Sequence, residues 1–370
     1  MNDRIKKFLS SFNFIRKVHS YVVQNKLKFW GYGLYENVNK TTYQKNCLLL
    51  YIVDPFRYQK TNYNHQNYEQ VKSLSKILEE LGFNVDVIQF NDTKVGLNKQ
   101  YNIIIDIHPG RNNIYKNHMA SGCKKIFYCT GSDPLFLKNA EEQRLQDLYR
   151  RRSVQIEPQR QVQIIDTNEY QSLDGMLFMG STFNVKTYDA YKIKNIFFIK
   201  NTGYAFLGNN DFIQKSSKNF LFLSGTGQVL KGLDLLLEIF VQNPDLHLYV
   251  CSNFKNEKDF TRLYHKELFE TENIHPIGFI NINNYEFSEI TKKCSYIIMP
   301  SCSEGQAGSV LTGMSAGLIP IISKECGLEK DEAYFFTDNK IETIEKTIKE
   351  FSQKPQEWII ENSKKAMKTI

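Results

Sequence analysis

Two stretches of this chain bring together residue types suited to holding a phosphorylated ligand. In CSYIIMPSCSEGQAGSVLTGMSAGLIP (Cys294–Pro320) an apolar run ends at Pro300 and gives way to Ser301, Ser303, Glu304, Gly305 and Gly308. A helical pattern starts near Gln306 to Gly308, so the backbone N–H groups of Gln306, Ala307 and Gly308 fall at a helix start. There an anion meets donors that lack intrahelical partners. In SGTGQVLKG (Ser224–Gly232) the residues Gly225, Thr226 and Gly227 form a turn that lets backbone approach a phosphate, and Lys231 adds a compact positive charge. A glycine turn after a strand is more often only a turn, so the second stretch is weak evidence alone.

Several nucleotide chemistries are excluded. A dinucleotide fold wants G-x-G-x-x-G after its first strand, whereas Asp54 is followed by Pro-Phe-Arg-Tyr. A P-loop wants Gly-Lys-Ser/Thr, and here the order is Lys-Gly. There is no Asp-x-Asp pair to hold a metal on a sugar nucleotide. The 7 Cys include no C-x-x-C and have no His at ligand spacing, so neither a disulfide framework nor a zinc site is expected, and a reducing cytoplasm fits. No metal and no cofactor is called for.

Candidates in the first half are weaker. Asp106 and His108 end an apolar run in IIIDIHPGR (Ile103–Arg111). His108 suits orienting or deprotonating an acceptor hydroxyl, and suits equally a loop histidine bonded to a carbonyl. Thr130 and Asp133 follow the next run; Asp133 either meets a ligand or opens an Asp-Pro turn. Arg150, Arg151 and Arg152 read as a guide for an anionic substrate or as a solvated charge run.

These residues need strands and helices to position them. Apolar runs at Cys47–Asp54, Val85–Phe90, Tyr101–Ile107, Lys125–Cys129, Met176–Met179 and Ile196–Ile199 predict the strands of a first half, with a helix over Tyr68–Leu81 stopped by Gly82. A polar stretch from Asn201 to Lys218 reads as a linker. A second series follows: strands at Phe220–Leu223, Leu246–Cys251, Ile274–Ile277, Tyr296–Met299 and from Leu318, and helices at Leu233–Phe240, Asp259–Phe269, Ile341–Phe351 and Gln356–Lys368. Strands alternating with helices predict an α/β chain of two Rossmann-like, doubly wound domains facing a central cleft. The expected divisions are a basic segment over 1–45, a first Rossmann-like domain over 46–205, a second over 206–352, and a helix over 353–370 packing back on the first domain.

The chain carries a formal charge of +7 but also 26 Phe and 21 Tyr, which favours a globular fold over disorder. The basic residues are spread out and no nucleic-acid module is present, so nucleic acid is not an expected partner. From Arg4 to Lys28 apolar and basic residues alternate at helical spacing. This reads either as a helix lying on an anionic membrane surface or as a helix packed on the first domain with its basic face in water.

Three second-half segments, FLFLSGTGQVLKGLDLLLEIF (Phe220–Phe240), IHPIGFI (Ile274–Ile280) and PSCSEGQAGSVLTGMSAGLIPII (Pro300–Ile322), resemble in order and spacing the nucleotide-binding domain of GT-B glycosyltransferases of family 4. In the first half, KKIFYCTGSDPLF and AEEQRLQDLYRRR (within Lys124–Arg152) look like a branch of the same group. The resemblance implies a nucleoside-diphosphate sugar as donor and a saccharide or lipid-linked saccharide as acceptor. It places Lys231 on the diphosphate, Glu304 on hydroxyls of the transferred sugar, the Gly278 turn against the base, and Gln306, Ala307 and Gly308 on phosphate. Two positions depart from the family pattern: an Arg is missing before Lys231, and Thr312 stands where a second Glu holds the ribose. These departures leave open a catalytically silent scaffold that binds a sugar nucleotide or a partner enzyme.

Overall fold

The computed structural model describes residues 33–57, 66–160, 162–204 and 215–370. They form two compact units that divide between Phe127 and Tyr128. The basic segment at 4–28 lies outside the described residues, as does most of the expected linker.

In the first unit β1 (Leu34–Tyr35), β2 (Lys45–Tyr51), β3 (Phe83–Gln89), β4 (Tyr101–Asp106) and β5 (Met119–Cys129) lie in the order β1-β3-β2-β4-β5. All pairings are parallel except β1 on β3. The central strand β2 is buried without interruption from Cys47 to Tyr51, which is why its sequence shows no alternation. The helix α1 (Asn67–Glu80) buries Val71 and Leu78, and Gly82, at φ +84°, turns the chain into β3. β5 begins six residues before the apolar run that announces it, because its polar start still pairs Met119 with Tyr101.

The second unit opens with α2 (Pro134–Arg152) and a parallel pair, β6 (Gly175–Met179) with β7 (Ile196–Ile199). Its main sheet has six strands: β8 (Ser216–Leu223), β9 (His247–Cys251), β10 (Ile274–His275), β11 (Cys294–Met299), β12 (Ile319–Ile322) and β13 (Tyr334–Phe335). Their order is β10-β9-β8-β11-β12-β13, and every pairing is parallel. The chain therefore builds outward from β8 in one direction and then, from β11, in the other. β8 and β11 flank the point where the winding reverses, and the crevice of such a sheet opens at the carboxyl ends of those two strands. The loops leaving them are 224–232 and 300–307.

The core holds the stacked rings of Phe220 and Tyr296 together with Phe222, Phe240 and Ile298. Two helices cover it, α3 (Leu233–Val241) and α5 (Ile341–Phe351), while α4 (Gly308–Ser315) packs Val310, Leu311 and Met314 into a second cluster with Leu221 and Ile297. The closing helix α6 (Gln356–Thr369) buries Ile359 and Ala366 within the apolar core of the second unit. The single helix expected over Asp259–Phe269 is two short ones, Lys258–Leu263 and His265–Phe269, broken at Tyr264. Tyr264 is wholly buried with its hydroxyl on Glu238, 2.6 Å away.

α2 belongs with this sheet because of its side chains. Leu148 is fully buried in the same cluster as Phe220 and Leu236. Arg151 reaches Asp234 and Glu238, and Arg152 reaches Glu238 and Glu267.

Candidate functional site

Lys231 and Glu304 lie 73 residues apart in sequence and meet because β8 and β11 are neighbours. After Lys231 the chain turns at Gly232, φ +79°, where an added Cβ would lie 2.5 Å from the Pro300 carbonyl oxygen. Only glycine lets the loop that ends β8 pass so close to the loop that ends β11. The Lys231 ammonium forms an ion pair with Glu304 Oε1, and the Ser301 hydroxyl donates to the same oxygen at 3.3 Å. Lys231 is only 8% exposed, so the pair is little screened by water. On the other side of Glu304, an added Cβ on Gly305 would lie 2.0 Å from the Thr130 carbonyl oxygen. Thr130 thus packs directly on the loop that carries Glu304.

The glycine turn is occupied from within the chain. Gly225 and Thr226 are exposed, whereas the N–H of Gly227 donates to Glu257 Oε1 at 2.5 Å and that of Gln228 to Glu257 Oε2 at 3.1 Å. The Gln228 amide also donates to Glu257 Oε1 and to the Gly225 carbonyl. A buried carboxylate therefore sits where the sequence suggested a phosphate. Nothing in SNFKNEKDF distinguishes Glu257 from an ordinary solvated glutamate.

At the start of α4 the expectation for Ala307 gives way, because its N–H donates to the Cys326 carbonyl at 2.9 Å. Asn201 holds Gln306, donating its backbone N–H to Gln306 Oε1 at 2.5 Å and its side-chain amide to the Gln306 carbonyl at 2.9 Å. Thr312 is 5% exposed and its hydroxyl donates to the Gly308 carbonyl at 2.8 Å, so its proton is directed into its own helix. Gly278 adopts φ +88° beside the Lys255 ammonium.

In the first unit Asp106 and His108 come together at the end of β4 with a third residue, Arg111. Arg111 forms an ion pair with Asp106 Oδ1, which also accepts the His108 backbone N–H at 2.8 Å. Burial pushes the Asp106 carboxyl up to about 6 against the pull of Arg111. Burial, aided by Arg111, pushes His108 down to about 4, so its imidazole is neutral at pH 7. Asp133 caps α2, accepting the N–H groups of Leu135 and Phe136 at 3.0 Å each. Of the arginine run, only Arg150 is paired locally, with Asp147, in an exposed position.

Among the described residues no group of three or more His, Cys, Asp or Glu is placed to hold a metal ion, and no helix is long and apolar enough to cross a membrane.

Residues 209–367 match the family described as glycosyl transferases group 1. No curated protein matches the sequence. Among solved structures, sucrose-phosphate synthase from Thermosynechococcus elongatus is similar at 12% identity and a TM-score of 0.61, over 88% of this chain and 94% of that one. Anabaena HepE, solved in complex with UDP and glucose, is similar at 12% identity and a TM-score of 0.54, over 88% and 95%. TarM, known from S. aureus, is similar at 13% identity and a TM-score of 0.51, over 72% of this chain and 50% of TarM. The chain thus matches about half the length of TarM. A doubly wound parallel sheet that opens between β8 and β11, and these shared architectures, give the chain the GT-B fold, and the family match over residues 209–367 falls on that sheet and the loops that carry Lys231 and Glu304.

Proposed function

We propose that this protein transfers a sugar from a nucleoside-diphosphate donor to a hydroxyl of a cell-surface glycan or lipid-linked saccharide, with retention of configuration and without a metal. The observation that carries the reading is the buried Lys231–Glu304 pair at the reversal point of the sheet. Lys231 stabilises the charge that grows on the leaving diphosphate, and Glu304 accepts hydrogen bonds from hydroxyls of the sugar. The bond from the anomeric carbon to the diphosphate oxygen breaks as the bond to the acceptor oxygen forms. The acceptor proton passes to the departing phosphate, so no protein nucleophile is required. That HepE was solved with UDP and glucose, and TarM with UDP, supports a sugar nucleotide as donor. Asp106 and His108 are the acceptor-side candidates, and the protein acts in the cytoplasm, at the inner face of the membrane if the 4–28 segment binds anionic lipid.

A second reading, a scaffold that binds a sugar nucleotide without turning it over, is favoured by the Glu257 carboxylate on Gly227 and by the inward hydroxyl of Thr312. Thermal shifts against UDP-, GDP- and dTDP-sugars, followed by an assay for nucleoside diphosphate release in the presence of saccharide acceptors, separate the two. Release that depends on acceptor supports transfer; a shift without release supports the scaffold; neither sinks both.

A further inference from the structure

We infer that Asn184, acting with Ser132, is a positioning residue for Glu304. The inference rests on the proposed contact between Glu304 and the transferred sugar, and names the residues that fix where that carboxylate stands.

Asn184 has no exposed surface, and each polar atom of its side chain is engaged. Its Oδ1 accepts from the Ser181 N–H at 3.2 Å and the Ser181 hydroxyl at 2.6 Å. Its Nδ2 donates to Ser132 Oγ, to the Glu304 carbonyl and to the Glu325 carbonyl, each at 3.1 Å. The orientation of the amide is settled by its partners. Rotating it by half a turn would set the NH2 group against the Ser181 N–H and the oxygen against two carbonyls. Ser132 completes the arrangement, donating both its backbone N–H and its hydroxyl to the Glu304 carbonyl, at 3.1 and 2.8 Å.

The Glu304 carbonyl therefore has three donors, which use its lone pairs fully. The next residue has no room to move. An added Cβ on Gly305 would strike the Thr130 carbonyl, and one on Gly327 would strike the Gly305 carbonyl at 1.8 Å. The peptide between Glu304 and Gly305 is held by 130–132, by Asn184 and by 325–327. The carboxylate end is held by Lys231 and Ser301. A functional carboxylate set to within a fraction of an ångström needs this kind of support from the residues behind it.

The test uses the full-length chain with Ser132→Ala and Asn184→Asp, the latter turning a double donor into an acceptor that faces three oxygens. Amide hydrogen exchange is followed over residues 300–308. Affinities are measured for UDP-glucose and GDP-mannose and for UDP and GDP alone. Ser132→Ala removes two hydrogen bonds of the hydroxyl, to the Glu304 carbonyl and from Asn184, and predicts about tenfold faster exchange over 300–308. Sugar-nucleotide affinity should fall by a similar factor, with less than about twofold change for the free diphosphate, since only the sugar meets Glu304. Asn184→Asp should show larger changes of the same pattern. If it fails to fold, Ser132→Ala decides alone. Unchanged exchange over 300–308 overturns the inference, as does a parallel loss for sugar nucleotide and free diphosphate. A wild-type protein that binds neither sugar nucleotide tighter than its diphosphate overturns the contact between Glu304 and sugar, and the exchange arm still decides whether Asn184 and Ser132 hold the loop.

Discussion

The Glu257 carboxylate grips the backbone of Gly227, taking its N–H at 2.5 Å while its second oxygen takes the N–H of the following residue. It ties the loop after β8 to the loop after β9 and satisfies two buried donors with one charged group. Glu257→Ala leaves both unpaired and should lower the free energy of unfolding by about 2–4 kcal/mol. Urea titration measures this. A loss below about 1 kcal/mol would mean that water or a neighbouring group replaces the carboxylate.

Lys231 and Arg151 are both partnered cations but should fail differently. Lys231→Ala should cut acceptor-dependent nucleoside diphosphate release by about 100- to 1000-fold. Arg151→Ala removes a partner of Asp234, which is fully buried, and should destabilise by about 3–5 kcal/mol while leaving turnover per folded molecule within a few fold. Kinetics and denaturation on the two variants settle it; equal losses of turnover would refute the assignment.

Gly305→Ala forces a Cβ into the Thr130 carbonyl, where it would lie 2.0 Å away against backbone that has no rotamer to change. The loop must shift, so activity should fall by about 100-fold, the scale expected when a reacting group is misplaced by about 1 Å. Near-normal activity would show that the exact position of the loop does not matter.

His108 gives a pH signature. Its folded value, lowered to about 4 by burial and then by Arg111, means the folded state holds it neutral where the unfolded chain would protonate it. That contribution to stability is complete above the unfolded value, about 6.5, and is lost as the pH falls through 4. Asp106, raised to about 6, has the opposite sign and loses its contribution as the pH rises through 6, so the two largely cancel between 4 and 6. In His108→Asn the stability relative to wild type should fall as the pH rises from 4 to 6.5, by about 1 kcal/mol or less, because water reaches this exposed residue and screens the effect. Urea midpoints across that range read it; a pH-independent difference would mean that His108 titrates normally.

Thr312→Val keeps shape and removes the hydroxyl. Because that hydroxyl donates to the Gly308 carbonyl, nucleotide affinity should change by less than about threefold, within one ordinary hydrogen bond. A tenfold loss by calorimetry would instead place the hydroxyl on the ligand.

The strands were legible wherever they are buried on both faces. Cys47 to Tyr51, Phe220 to Leu223 and Tyr296 to Met299 read as apolar runs because parallel strands covered by helices have no polar side. The glycine and lysine of the first loop and the glutamate of the second were also visible. Their meeting was not, since it depends on strand order, which local pattern does not encode. Glu257, Ser132 and Asn184 were out of reach because a polar residue in a loop looks alike whether solvated or buried. One signal was readable: Asp234 interrupts the apolar helix LDLLLEIFV, and a carboxylate on such a face calls for a buried cation, which Arg151 supplies.

The Lys231–Glu304 pair also bears on product release. On the proposed reading, an intact donor separates the two charges and rewards each, giving phosphate to the lysine and sugar hydroxyls to the glutamate. Once the sugar has left, the diphosphate alone holds Lys231 and abandons Glu304, a nearly buried carboxylate whose best remaining partner is the lysine it has lost. Re-forming the pair competes directly with the spent nucleotide for the ammonium. On that reading the Lys231–Glu304 contact favours clearing the site for the next turnover.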